Sequence, residues 1–353
     1  MSQTRVMIMA GGTGGHIFPG LAVARQLASQ DVDVNWLGTP HGLENRLVPA
    51  AGFELQKISI SGLRGRGLLG WLAAPFRVVR AMLQARQVLK KNRPNCVLSM
   101  GGYVAGPGGL MARLMGIPLV IHEQNAIAGM TNRWLRPLAR RVMTGFPDVL
   151  RGGEHCGNPV RDEIAALPDP DQRYSSRNGP LVVLVIGGSQ GAMAFNEVIP
   201  QALALLPEAS RPQVIHQAGR QYDATSKAYR AAGVNADVIE FIDDMAAAWA
   251  RADLAICRAG ALTVAELEAA GVASLLVPFP AAVDDHQTAN AQYLTAAHAA
   301  WLMPQTEFSA ERLAERLRGV NRTQLAAMAG RARALARPKA TDAVAAACLE
   351  VAR

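Results

Sequence analysis

Two glycine-rich turns carry the first chemical signal in this sequence. Gly11-Gly12-Thr13-Gly14-Gly15-His16 follows the apolar run Val6 to Ala10, and Gly187-Gly188-Ser189-Gln190-Gly191 follows Leu181 to Ile186. Each turn leads into a stretch of helical character. A glycine turn entering a helix presents unpaired N–H groups and a partial positive charge, which suits phosphate. The same glycines permit tight turns with positive φ, a reading compatible with phosphate approach. His16 sits where the first turn enters its helix, and an imidazole titrating near neutrality can take a proton from an attacking hydroxyl. Its plainer uses are to order the loop or to bind an acceptor phosphate. Glu123, at a strand end beside Asn125, is the rival base, provided a closed site raises its pKa. Arg161 and Arg258 follow turn-like segments where a guanidinium matches phosphate, although a surface ion pair would use the same residues.

The spacing excludes two common phosphate ligands. A nicotinamide cofactor needs G-x-G-x-x-G with an acidic residue at the end of the second strand. From Gly12 the spacing meets Gly14 but then Ile17, and the second strand ends in Leu37-Gly38-Thr39 without a carboxylate. Neither turn contains the G-K-[ST] of a Walker loop. Two D-x-D triplets, Asp31-Val32-Asp33 and Asp169-Pro170-Asp171, match the metal-holding pattern of some sugar-nucleotide transferases, but neither follows an apolar strand. No metal and no cofactor are therefore expected. A departing diphosphate would then be neutralised by helix dipoles, backbone N–H groups and arginine.

The elements that must position these groups alternate along the chain. Short, fully apolar runs read as buried parallel strands, and a glycine turn into a helix opens a doubly wound α/β unit. Two such openings imply two such domains. Val32 to Leu37, Cys96 to Met100, Leu119 to Glu123 and Val142 to Gly145 are the later strands of the first unit. Val214 to Gln217, Val238 to Ile242, Leu254 to Cys257 and Ser274 to Val277 play that part in the second. Ligands of open parallel sheets collect beyond the carboxyl ends of the strands, so the cleft between domains is the expected site. Residues 166 to 180, rich in proline, serine and charge, read as a linker, with the hinge at or slightly before it. The apolar-periodic stretch Thr341 to Arg353 is expected to pack back on the first domain.

Composition narrows the classes further. The chain has 353 residues, half of them apolar, which suits two folded domains and leaves little room for long disordered segments. A formal net charge of +8 calls for an acidic partner, but the basic residues are not interleaved with stacking aromatics, so no nucleic acid is expected. Nucleotide phosphates or anionic lipid would serve. Cys96, Cys156, Cys257 and Cys348 form no C-x-x-C pair, and a reducing cytoplasm fits them best. Val6 to Ala10 is too brief for a signal-peptide core, and no segment approaches a membrane span.

Together with Gly101-Gly102-Tyr103-Val104, His122-Glu123-Gln124-Asn125, Gly157-Asn158-Pro159-Val160-Arg161, His216-Gln217-Ala218-Gly219-Arg220 and Cys257-Arg258-Ala259-Gly260-Ala261-Leu262-Thr263-Val264-Ala265-Glu266, the two glycine turns form an ordered set. The set resembles the MurG family, the peptidoglycan N-acetylglucosaminyltransferases of the B-type glycosyltransferase fold (GT-B). The resemblance runs from residue 6 to about residue 294, nearly the whole chain. It implies two Rossmann-like domains facing a central cleft. It also implies an inverting, metal-independent transfer from UDP-N-acetylglucosamine to the muramyl 4-hydroxyl of the undecaprenyl-diphosphate precursor, lipid I. By motif match Ser189 and Arg161 would contact the nucleotide, Ile242 would meet uracil through its backbone, and Glu266 would bind ribose hydroxyls. Ala261, Leu262, Thr263, Val264 and Ala265 would approach the diphosphate, Gln287 and Asn125 the sugar, and Thr13, Gly14 and Gly15 would close over the other side. The plainer readings remain: Thr263-x-x-Glu266 is also a capping box, and Asp284-x-x-Gln287 has the same spacing.

On this reading residues 1–161 bind acceptor and membrane, residues 162–337 bind the UDP-sugar, and residues 338–353 form the returning helix. Residues 64 to 91 combine Leu68, Leu69, Trp71, Leu72 and Phe76 with seven basic and no acidic side chains. This is the make-up of an interfacial segment. Residues 64 to 76 are assigned to membrane contact, with a helix covering the first sheet as the alternative beyond Phe76. The expected location is peripheral, on the cytoplasmic face of the inner membrane, with other cell-wall synthesis proteins as further partners. The competing functions are a UDP-N-acetylglucosamine 2-epimerase and a catalytically silent membrane-surface scaffold.

Overall fold

An unbroken apolar run is stable as a strand only when both its faces are covered. β1 (Arg5–Met9) meets that condition, since Val6, Met7, Ile8 and Met9 are all fully buried. It lies between parallel neighbours, with Val6 opposite Val34 of β2 (Asp33–Gly38) and Cys96 of β4 (Cys96–Ser99). β3 (Glu54–Lys57), β5 (Leu119–Glu123), β6 (Arg141–Thr144) and β7 (Glu154–His155) complete a parallel sheet of order β3-β2-β1-β4-β5-β6-β7. The computed structural model describes residues 3–60, 74–188 and 191–353.

Alternation along β1 divides the core of this unit into two layers. Val6 and Ile8 join Ile17 and Leu21 of helix Gly14–Ala28 and Val344 and Cys348 of helix Ala340–Ala352. Met7 and Met9 face the other way, onto Ala85 and Leu89 of helix Ala74–Asn92 and Ala112 of helix Ala105–Leu114. The unit thus comprises Met1–Val160 together with Arg337–Arg353.

The second unit, Arg161–Ala336, repeats the plan. β8 (Val182–Ile186) lies between β9 (Gln213–Gln217) and β11 (Leu254–Cys257). With β10 (Asp237–Ile239), β12 (Ala273–Leu276) and β13 (Ala300–Leu302) the order is β10-β9-β8-β11-β12-β13, again parallel throughout. Both units are doubly wound α/β sheets, as the paired glycine openings imply. β3, β7 and β13 have no counterpart among the expected strands. Each lies at a sheet edge, where one side remains partly exposed and the continuous apolar run is not required.

The linker expected over residues 166–180 is instead part of the second unit's packing. Helix Pro170–Ser175 buries Arg173 and Tyr174. Arg173 donates to the carbonyls of Pro168, Ala270 and Gly271, and the Tyr174 hydroxyl donates to the carbonyl of Asp253 at 2.7 Å. Asp253, fully buried, accepts from Arg177, Arg322 and the N–H of Val182. Polar composition misled here because an arginine that satisfies several buried carbonyls counts as charge in the sequence and as glue in the fold. The four cysteines are unpaired and buried.

Candidate functional site

In the first unit the turn after β1 reaches its helix through Thr13, an extended residue whose side chain does not cap the helix. Thr13 Oγ1 lies 3.3 Å from Nδ1 of His16, so the hydroxyl orients the imidazole. Gly12, Thr13 and Gly15 are exposed, and Gly14 and Gly15 stand in the first helical turn, where backbone N–H groups have no intrahelical partner. A second glycine turn lies against the first. Gly102 has φ +81°, and a Cβ there would fall 2.8 Å from the Gly11 carbonyl oxygen. A Cβ on Gly101 would fall 3.2 Å from Nε2 of His16.

A buried carboxylate that the spacing gave no reason to single out holds this turn from beneath. Glu44 is fully buried at the start of helix Glu44–Ala50. It accepts the backbone N–H of Gly12 at 3.1 Å, the N–H of Thr39 at 2.8 Å and the Thr39 hydroxyl at 2.6 Å. Burial acts to raise its pKa, yet hydrogen bonds from Thr39, from its own backbone N–H and from Gly12 bring it below the ordinary carboxylate value. The signal that could have found it is the absence of side chains around it. Gly11, Gly38 and Gly42 all lie where a Cβ would collide with Glu44.

Glu123 ends β5 and is almost wholly buried. One carboxylate oxygen accepts from the backbone and side chain of Asn125, the other from the N–H of Gly129 at 3.1 Å and from Asn132 Nδ2 at 2.9 Å. Four donors, from Asn125 and Gly129 of the loop that follows β5 and from Asn132 of helix Met130–Leu135, thus hold the carboxylate. Its neighbour His122 is fully buried, with Nε2 3.0 Å from the Gly157 carbonyl and Nδ1 2.9 Å from Gln124 Nε2. Burial pushes its pKa down to about 4, against the smaller raising effects of the Gly157 carbonyl and Glu123. It is a neutral structural group.

In the second unit Gly191, at φ +75°, passes so close to the Ala218 carbonyl that no side chain fits. Ser189 lies outside the described residues. β11 ends at Cys257, and helix Ala261–Ala270 begins after Gly260, which occupies the N-cap without a side-chain hydrogen bond. Thr263 and Glu266 therefore lie inside the helix, and the capping box between them is not made. Val264 and Ala265 are buried, so the first turn offers the backbone N–H groups of Ala261, Leu262 and Thr263 rather than side chains.

Glu266 has a different set of partners. Its Oε1 accepts from Arg161 at 2.9 Å and its Oε2 from the indole N–H of Trp249 at 3.1 Å. Arg258 lies elsewhere in its chemistry from the phosphate role its type suggests. It donates to the carbonyls of Val277 and Pro278 and to Gln305 Oε1, and stacks between Phe195 and Phe279 with its guanidinium carbon 4.7 and 5.4 Å from their ring centroids. Gln287 does not serve the expected cap either. Asp285 holds the N-cap of helix His286–Ala296, and Gln287 Oε1 accepts the N–H of Phe279 at 2.9 Å. Ile242, after β10, buries its side chain. Asp33 pairs with Arg5 at the amino end of β2, while Asp169 and Asp171 open helix Pro170–Ser175, so neither D-x-D triplet stands at the carboxyl end of a strand.

Helix Ala74–Asn92 has two faces. Ala81, Ala85 and Leu89 are fully buried against the sheet, whereas Phe76, Val79 and Leu83 are exposed at 79%, 55% and 56% beside the exposed Arg80 and Arg86. Leu68, Leu69, Trp71 and Leu72 lie outside the described residues. Among the described residues no helix is long and apolar enough to cross a membrane.

Comparison with known proteins accounts for the paired sheets. The glycosyltransferase family 28 N-terminal domain matches residues 6–144, and the glycosyltransferase family 28 C-terminal domain matches residues 182–346. The chain belongs to glycosyltransferase family 28. Among its family 28 relatives, a UDP-N-acetylglucosamine--N-acetylmuramyl-(pentapeptide) pyrophosphoryl-undecaprenol N-acetylglucosamine transferase from Alkalilimnicola ehrlichii is 59% identical and covers 99% of both chains. The protein of the same name from Bordetella parapertussis is 57% identical over 100% of this chain and 99% of its own. The crystal structure of Acinetobacter baumannii MurG superposes with a TM-score of 0.88 at 44% identity, covering 98% and 99% of the two chains. A UDP-GlcNAc 2-epimerase from Neisseria meningitidis, 12% identical with a TM-score of 0.68, shares the fold alone.

Proposed function

We propose that this family 28 glycosyltransferase moves N-acetylglucosamine from UDP-N-acetylglucosamine to the muramyl 4-hydroxyl of undecaprenyl-diphosphate-linked N-acetylmuramyl-pentapeptide, with inversion at the anomeric carbon. Full-length relatives carrying that activity in their names support the reaction. The observation that carries the donor assignment is the open first turn of helix Ala261–Ala270 beside a carboxylate, Glu266, whose two oxygens are already held by Arg161 and Trp249. Phosphate suits the turn, and a ribose diol suits the carboxylate.

The units divide the work. The second binds the donor: Glu266 accepts from the ribose, the backbone at Ile242 meets uracil, and Ser189 and Arg161 contact the nucleotide. The open N–H groups of Ala261, Leu262 and Thr263, at the head of the 261–265 stretch, receive the diphosphate, while Gln287 holds the sugar through its amide N–H groups. The first unit binds the acceptor through the turn that contains Thr13, Gly14 and Gly15. His16, oriented by Thr13, takes the proton from the 4-hydroxyl as its oxygen bonds to the anomeric carbon and the bond to the β-phosphate oxygen breaks, releasing UDP. His16 is preferred to Glu123 as base because four N–H donors hold the Glu123 carboxylate in place. Helix dipole and backbone donors stabilise the leaving diphosphate, so no metal is required.

Residues 64–76, continued by the exposed face of Phe76, Val79 and Leu83, rest on an anionic membrane surface at the cytoplasmic face of the inner membrane. The acceptor is embedded there and the donor is soluble.

The test is product analysis. Enzyme, UDP-N-acetylglucosamine and the lipid acceptor are expected to yield the disaccharide lipid and UDP in equal amounts, in the presence of EDTA. A mannosamine epimer formed without acceptor, or turnover that returns only with a divalent ion, would overturn the reading.

A further inference from the structure

We propose that Trp249 is a positioning residue for Glu266 and, through it, sets the preference of the enzyme for a ribonucleotide over a deoxyribonucleotide donor. The inference rests on the reading of Glu266 as the ribose-binding carboxylate.

Trp249 lies on helix Met245–Arg251 and is fully buried. It touches no ligand in any arrangement that leaves it there. Its helix is fixed at the start by Asp244, which accepts the N–H of Ala247 at 2.8 Å, and Arg173 donates to the Trp249 carbonyl at 3.4 Å. An indole has one polar group, a donor, and burying it without an acceptor is unfavourable. Here the acceptor is Glu266 Oε2, at 3.1 Å.

The consequence falls on the carboxylate. Glu266 is held at Oε1 by Arg161 and at Oε2 by Trp249, so both its rotamer and the plane of its carboxylate are set by donors of the same chain. A carboxylate offers about four acceptor sites. The two that remain match the two O–H donors of a vicinal diol, the 2′ and 3′ hydroxyls of a ribonucleoside. Its side chain is 16% exposed, enough to leave one side open. Arg161 is 37% exposed and can rearrange with ligand, whereas the buried indole cannot. Trp249 is thus the fixed half of the clamp.

The experiment measures Kd for UDP and for 2′-deoxy-UDP by titration calorimetry with wild type, Trp249→Phe, Glu266→Gln and the double variant, alongside Tm. Phenylalanine keeps the buried ring and removes the N–H. Wild type is expected to bind UDP more tightly than 2′-deoxy-UDP. Trp249→Phe should weaken UDP binding about tenfold, the effect of losing one hydrogen bond to a charged group, and weaken 2′-deoxy-UDP, which keeps only the 3′ hydroxyl, by less, so that the ratio between them narrows. The double variant should be no worse than Glu266→Gln. Equal weakening of both nucleotides by Trp249→Phe, with their ratio kept, would reduce Trp249 to a core residue and overturn the proposal. If Glu266→Gln itself leaves the ratio intact, the ribose reading of Glu266 fails instead. Should Trp249→Phe fold poorly, the indole 15N–1H resonance of Trp249 in wild type serves: it is expected to shift with UDP and less with 2′-deoxy-UDP, and an unmoved signal at saturation would overturn the proposal.

Discussion

Glu44 accepts the backbone N–H of Gly12 at 3.1 Å from a fully buried position, so the turn that leads to His16 rests on a carboxylate. Exchange for glutamine keeps the shape but turns an N–H group toward the donors of Gly12 or Thr39. Losing such charge-assisted bonds costs about 1.5–3 kcal/mol. Glu44→Gln is expected to lower Tm by several degrees and to lower kcat, because the glycine turn loosens with its support. Thermal melts beside initial-rate kinetics check this, and an unchanged Tm would remove the structural role.

His16 is assigned the proton transfer. His16→Gln is expected to lower kcat by about 10²–10⁴-fold, the usual contribution of a general base, while KM for UDP-N-acetylglucosamine stays close to wild type. Pre-steady-state mixing with lipid acceptor separates chemistry from product release. A variant with near wild-type kcat would return the base to Glu123.

Stability should fall on the acid side. His122 and His216 are both fully buried and both pushed down from 6.5 to about 4, by burial above all. Below pH 6.5 the unfolded chain binds protons that the folded chain refuses. The stability is therefore present above that value and lost as pH falls toward 4, about 3 kcal/mol for each group. One histidine belongs to each unit, so neither unit is spared. Urea midpoints measured from about pH 7 down to about pH 4.5 should decline, and a flat profile would contradict the buried, neutral state of both rings.

Membrane attachment should be reversible and salt-sensitive. Each apolar side chain entering the interface contributes about 1.5–3 kcal/mol, and each nearby basic group about 1 kcal/mol on anionic lipid. Trp71→Ser and Phe76→Ser are each expected to weaken binding to anionic vesicles about tenfold or more, with catalysis on a detergent-solubilised acceptor retained. Unchanged vesicle binding at low salt would remove this surface from the model of attachment.

Much of the architecture is legible along the chain, for identifiable reasons. Val6 to Ala10 and Leu181 to Ile186 are continuous apolar runs ended by glycine turns, and a strand covered on both faces writes itself that way. The edge strands β3, β7 and β13 do not, since they need no such run. Residues 166–180 look like a linker because Arg173 and Tyr174 find their carbonyl partners far along the chain, near Asp253 and Ala270. Spacing likewise offered Glu266 a cap at Thr263, and the helix start at Ala261 withdrew it.

Local order was thus enough for paired sheets and for the glycine turns that lead into helices, because each is a property of neighbouring residues. Partners were not. Arg161 meets Glu266 across 105 positions and Gly12 meets Glu44 across 32, and the pattern of residue types names no acceptor for a donor at such separations. Only the packed chain, in which most buried polar atoms are held to a partner, decides which carboxylate shapes a site and which supports it.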